Sequence, residues 1–180
     1  MPEQNRLSPV PGGHNSPEDY IQSLLSCAPV RSVMEYLKEK DAETLAVQKE
    51  LCAIPSPSNH EEARAARYFS MLSGIGLDEV RMDEAGNVIG LLRGAGTKNG
   101  TAARKTLPAV VLAAHMDTVF SADTDCTPVT KEGGLVWALG IGDDTRGMAE
   151  VYMIAKALCA LGIRASRDIL FVGDVGEEFS

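Results

Sequence analysis

Two continuous apolar runs, Pro108-Ala-Val-Val-Leu-Ala-Ala114 and Asp168-Ile-Leu-Phe-Val172, bracket a stretch in which Met148, Val151, Ala155 and Leu158 recur at helical spacing. The first run, bounded by a loop and by polar residues, suits a strand buried on both faces. Gly162 stops the helix that follows. Strand, helix, strand in that order is a βαβ unit, which places the two strands parallel with a right-handed crossover. The expected fold is α/β, with a mixed, largely parallel central sheet flanked by helices. In open sheets of this kind ligands bind outside the carboxyl ends of the strands. His115-Met-Asp117 follows the first run and Glu177-Glu178 the second, while Asp143-Asp144 opens the helix between them.

Upstream, Val30 to Ile54 reads as helical, with Leu45, Leu51 and Ile54 on one face and Asp41 as a candidate cap, ending at Pro55-Ser-Pro57. Ser58-Asn-His-Glu61 matches a capping box. It opens a helix whose stripe is Ala65, Phe69 and Leu72 and whose stop is Gly74 and Gly76. Glu79–Asp83 and Asn87–Leu92 form a hairpin around Ala85-Gly86, and Leu135–Leu139 is a further short strand. Residues 94–106, rich in Gly, Lys and Thr, read as an exposed loop. Residues 1–28, with Pro2, Pro9, Pro11, Gly12, Gly13 and Pro17 among polar neighbours, read as a flexible arm carrying a short helix from Glu18 to Leu25. His14, in that arm, and His60, in a first helical turn, are not expected to be ligands.

Of the 180 residues, 44% are hydrophobic and 23% charged, a balance that supports a packed core. A formal net charge of −8 without a basic cluster argues against nucleic acid or an anionic membrane as partner. No uncharged run approaches the roughly 18 residues of a membrane span. Met1–Arg6 has no apolar segment after it, and Cys27, Cys52, Cys126 and Cys159 include no CxxC pair. A reducing, cytoplasmic setting is the expectation.

His115 and Asp117, two apart at a strand end, point to one side. A carboxylate there can fix the imidazole tautomer that offers its other nitrogen to a metal, although a buried His–Asp pair formed for satisfaction alone reads the same way. Asp143 has two oxygens and can bridge two cations about 3.5–4 Å apart; Asp143 or Asp144 can equally cap the helix that follows. Side chains of Glu177 and Glu178 diverge, so one can bind metal while the other takes a proton from water. Solvated acids at a strand end are the plain alternative. No GxSxG motif and no P-loop lysine accompany these residues.

These three motifs in order, with a helix ending in Leu51-Cys-Ala-Ile-Pro-Ser-Pro57, resemble the N-terminal part of the M20 family of zinc metallopeptidases, which includes peptidase T, glutamate carboxypeptidases, dipeptidases and amino-acid deacylases. The resemblance spans about residues 41–180. It implies a zinc-exopeptidase-like fold and a centre of two Zn2+ ions, replaceable by Co2+ or Mn2+. His115 and Glu178 would be ligands, and Asp143 would bridge the ions, joined to Asp144 by a cis peptide. Asp117 would orient His115, and Glu177 would be the general base. The implied reaction is cleavage of a peptide or amide bond in a small peptide. Deacylation of an N-acyl amino acid at the same site is the alternative, as is a non-catalytic remnant that binds metal or peptide. The family has a lysine two residues after the bridging aspartate, where this chain has Thr145, with Arg146 next. Family members also supply a further acidic ligand, a late histidine and a small domain through which they form homodimers. Residues 29–180 are therefore expected to be the N-terminal part of a truncated catalytic domain, inactive by itself.

Overall fold

The computed structural model describes residues 16–95 and 108–178. His14 and residues 1–15 of the expected arm lie outside the described residues, as do residues 96–106 of the expected loop. Helix α1 (Pro17–Ser26) takes up the rest of the arm. Its cap is Ser16, whose hydroxyl oxygen accepts the Asp19 N–H at 3.2 Å. Neither α1 nor α2 (Ala28–Glu39) contains a buried residue; Val33, Tyr36 and Leu37 of α2 lie half-buried against the core.

The single helix expected from Val30 to Ile54 is two, because the chain turns at Lys40 and restarts as α3 (Asp41–Cys52). Asp41 begins α3 without a side-chain capping bond, and the buried face is Thr44, Val47, Gln48, Leu51 and Cys52 rather than Leu45 and Ile54. Helix α4 (Glu62–Ser73) buries Arg64, Ala65, Tyr68, Met71 and Leu72. Phe69, expected in its stripe, is half-buried against that core.

Strands β1 (Glu79–Met82) and β2 (Val88–Leu92) form the expected antiparallel hairpin. The Asp83 carboxylate closes its turn by accepting the N–H groups of Ala85, Gly86 and Asn87. Strand β3 (Val110–His115), a small hairpin of β4 (Val129–Thr130) and β5 (Val136–Trp137), helix α5 (Thr145–Ala160) and β6 (Ile169–Asp174) complete the described elements. The main sheet runs β1-β2-β6-β3. It is mixed, and β3 with β6, joined through α5, is its parallel pair among the described strands.

One expectation about β3 does not hold. Val110 and Val111 are 44% and 56% exposed, because β3 is the last strand in the described order and pairs through one edge, with β6. A run of apolar residues indicates tolerance of burial on both faces; it does not supply the neighbours. The core lies where α3, α4 and α5 meet the sheet, around Leu51, Tyr68, Leu72, Val88, Met148 and Phe171. No helix among the described residues is long and apolar enough to cross a membrane.

Candidate functional site

Parallel pairing of β3 with β6 puts His115 opposite Asp174, so the residues just beyond each strand meet at one end of the sheet. There His115, Glu177 and Glu178 each bring one ligand atom to within 4.8 Å of the others. Asp143 Oδ1 lies 3.0 Å from His115 Nε2, on the opposite ring edge from Asp117. Nδ1 faces Asp117 through both its carbonyl oxygen, at 3.1 Å, and its carboxylate, at 3.3 Å. The imidazole thus has an acceptor at each nitrogen, and only its doubly protonated form satisfies both. Burial opposes that charge, but the Asp143 hydrogen bond and the charges of Asp144, Asp117 and Asp143 outweigh it and raise the His115 pKa.

Asp117 is fully buried. Its Oδ2 accepts the Ser58 hydroxyl at 2.6 Å and the Glu178 N–H at 3.0 Å, and its Oδ1 accepts the Glu177 N–H at 3.1 Å. Burial alone would raise its pKa, yet these donors prevail and hold the carboxyl below its ordinary value. One carboxylate therefore fixes both the histidine and the backbone that carries the two glutamates.

The capping box is overturned by the same contacts. The Ser58 hydroxyl donates to Asp117, and its oxygen accepts no N–H from the start of α4. Glu61 is the residue before α4 and makes no side-chain cap; its Oε1 accepts the N–H groups of Asn59 at 2.9 Å and Gly176 at 3.2 Å. The spacing of Ser58 and Glu61 signalled ordered polar contacts, but their partners lie across the site and carry no local signature. Arg64 and Ser56 were likewise missed as part of this framework. The available signal was a charged side chain in helical phase with Tyr68 and Leu72.

Of the two acids, Asp144 takes the capping role left open for both. Asp144 caps α5 by accepting the Gly147 N–H at 3.0 Å, and burial raises its pKa. The Asp143 side chain, 79% exposed, is left facing His115. Their peptide bond is cis. Gly140, at φ 73°, adopts a backbone conformation that L side chains rarely take, and an added Cβ would come 3.2 Å from Thr118 Cγ2. Thr145 stands where the resemblance has lysine; its buried hydroxyl donates to the carbonyls of Gly140 and Ile141 and so fastens the turn to α5. A cleft of about 580 Å³, lined by Asn59, Glu61, Met82, Gly86, Val175 and Gly176, ends at the residue that precedes Glu177 in sequence.

An α/β fold with an imidazole and carboxylates gathered beyond the ends of parallel strands defines the class. Residues 111–180 match the profile of Peptidase family M20/M25/M40. The protein YgeY of Escherichia coli strain K12 is 28% identical over 155 residues, which are 83% of this chain and 36% of that protein. A tripeptidase from Staphylococcus aureus superposes with TM-score 0.60 at 24% identity, over 77% of this chain and 37% of its own. Aminoacylhistidine dipeptidase from Vibrio alginolyticus does so with TM-score 0.51 at 30% identity, over 76% and 28% respectively. The chain thus spans about a third of the length of such relatives.

Proposed function

We propose that this chain holds part of a zinc-dependent hydrolytic centre that cleaves a peptide or amide bond in small peptides. The convergence of His115, Glu177 and Glu178 within 4.8 Å carries the reading. The donor set fits a divalent cation, because imidazole and carboxylate are ligands that Zn2+, Co2+ and Mn2+ share. The contacts of His115 add support: Asp117 accepts at Nδ1 and so would leave the other ring nitrogen, now facing Asp143, available to a metal. In this reading His115, Asp143 and Glu178 would hold metal, and the exposed carboxylate of Asp143 would be free to engage a cation. A bound zinc of this class acidifies water and polarises a carbonyl.

The chain's own residues supply the rest. Glu177, more exposed than Glu178, accepts the proton of the attacking water and returns it to the leaving amine. Asp117 keeps the imidazole and both glutamates in place, and the cleft beside Gly176 receives the substrate. The four free cysteines fit a reducing cytoplasm. We take residues 29–180 as the unit to which this function belongs.

The test is zinc bound per folded chain after equilibration and desalting, read by elemental analysis, with hydrolysis of dipeptides and N-acyl amino acids assayed on the same samples. Retention by the wild type and loss in His115→Ala and Asp143→Ala is expected. Equal retention in all three overturns the assignment. Zinc bound without turnover on either substrate class favours a metal-binding unit that is not catalytic.

A further inference from the structure

Among the described residues, Arg64 is one of the largest fully buried side chains, 1% exposed, and yet forms no ion pair. Burial lowers its pKa, and its Nε has no acceptor among the described residues. A guanidinium in such a place is costly unless its geometry is needed. Here its fork reaches two segments far apart in sequence. Nη1 donates to the Met116 carbonyl and Nη2 to the Ile54 carbonyl, each at 2.7 Å.

Both acceptors border the candidate site. Met116 lies between His115 and Asp117, and Ile54 begins the link that carries Ser56 and Ser58. That link is fastened along the strand end. The Ser56 hydroxyl donates to the Met116 carbonyl at 2.7 Å, the Thr118 N–H donates to the Ser56 carbonyl at 2.9 Å, and Pro57 bridges Thr118 in parallel. The other edge of the same backbone is held by the Met116 N–H, which donates to Asp174 at 2.7 Å. Met116 is thereby fixed from two sides, and Arg64 is the group that ties α4 to one of them. A planar fork reaches two carbonyls at a set separation, which a lysine ammonium on a flexible stem does not.

We propose that Arg64 is a positioning residue for this centre: by clamping the carbonyls of Ile54 and Met116 it sets the place of Asp117, and through Asp117 the places of His115, Glu177 and Glu178. The link to metal rests on the hydrolytic reading above, whereas the clamp itself does not.

The experiment follows amide hydrogen exchange by NMR in the metal-free whole chain, and zinc affinity by competition with a chromophoric chelator, for the wild type, Arg64→Met and Arg64→Lys. The Glu177 and Glu178 amides report on Asp117 directly, since both donate to its carboxylate. In Arg64→Met they are expected to exchange at least about tenfold faster relative to interior amides of α5, with zinc bound about tenfold more weakly. Arg64→Lys, which keeps charge and stem, is expected to fold and to show the same selective loss in smaller measure. Exchange at Glu177 and Glu178 that only tracks the α5 amides, or wild-type protection in Arg64→Lys, overturns the clamp. If the wild type binds no zinc, the hydrolytic reading fails, and the exchange data still decide on Arg64.

Discussion

Asp117 and Asp143 face opposite nitrogens of one imidazole, and their surroundings are opposite too. Asp117 has no exposure and accepts from a hydroxyl and two backbone amides; the Asp143 side chain is 79% exposed and, among the described residues, has a hydrogen bond to His115 alone. The buried carboxylate belongs to the framework, since the links before α4 and after β6 both end on it. The exposed one has its bonding capacity left for something else. On the proposed reading, the carboxylate that orients is fully bonded and the one that would bind is free to do so.

The contrast can be broken by substitution, with stability read from denaturant midpoints and binding from zinc titration. Asp117→Ala strands the donors of Ser58, Glu177 and Glu178 beside a buried position and is expected to cost about 3 kcal/mol. A loss under about 1 kcal/mol would mean that water replaces the carboxylate and that the framework role is wrong. Gly173→Ala presses on the same side from below, because the new Cβ would lie 2.9 Å from Tyr68 Cδ1 and 3.0 Å from Met116 Sδ. About 2 kcal/mol is expected from overpacking. Ser58→Ala removes one of the three donors and should cost about 1.5 kcal/mol, while Ser58→Ala in an Asp117→Ala background should cost much less. Full additivity in that cycle would show that the two do not act together. Asp143→Ala closes the series: stability within about 0.5 kcal/mol of wild type, zinc affinity reduced more than about tenfold. Unchanged affinity would remove Asp143 from the metal set.

The same contrast separates what was legible in the sequence from what was not. The βαβ unit could be read because an apolar run and a helical period are local patterns, and Met148, Val151, Ala155 and Leu158 are all buried as their spacing requires. His115, Asp143, Glu177 and Glu178 were legible because each sits beside the end of such an element. The partner of Ser58 was not, because Asp117 is 59 positions away and the nearer Glu61 offered a plausible local substitute. Arg64 was passed over because charge in a helix is read as exposure, and here the carbonyls that accept its protons come from other segments. The exposure of Val110 and Val111 was hidden for a related reason: composition describes what a strand tolerates, and topology decides what covers it.

The parallel ladder between β3 and β6 also has a consequence for the order of events in folding. Parallel strands cannot be joined by a tight turn, so His115 meets Glu177 and Glu178 only after α5 has packed back and β6 has entered register. The chain must close that long loop before three donors exist for an ion. On the proposed reading, a cation held there would engage the protein only after that pairing, and would slow unfolding more than it hastens folding.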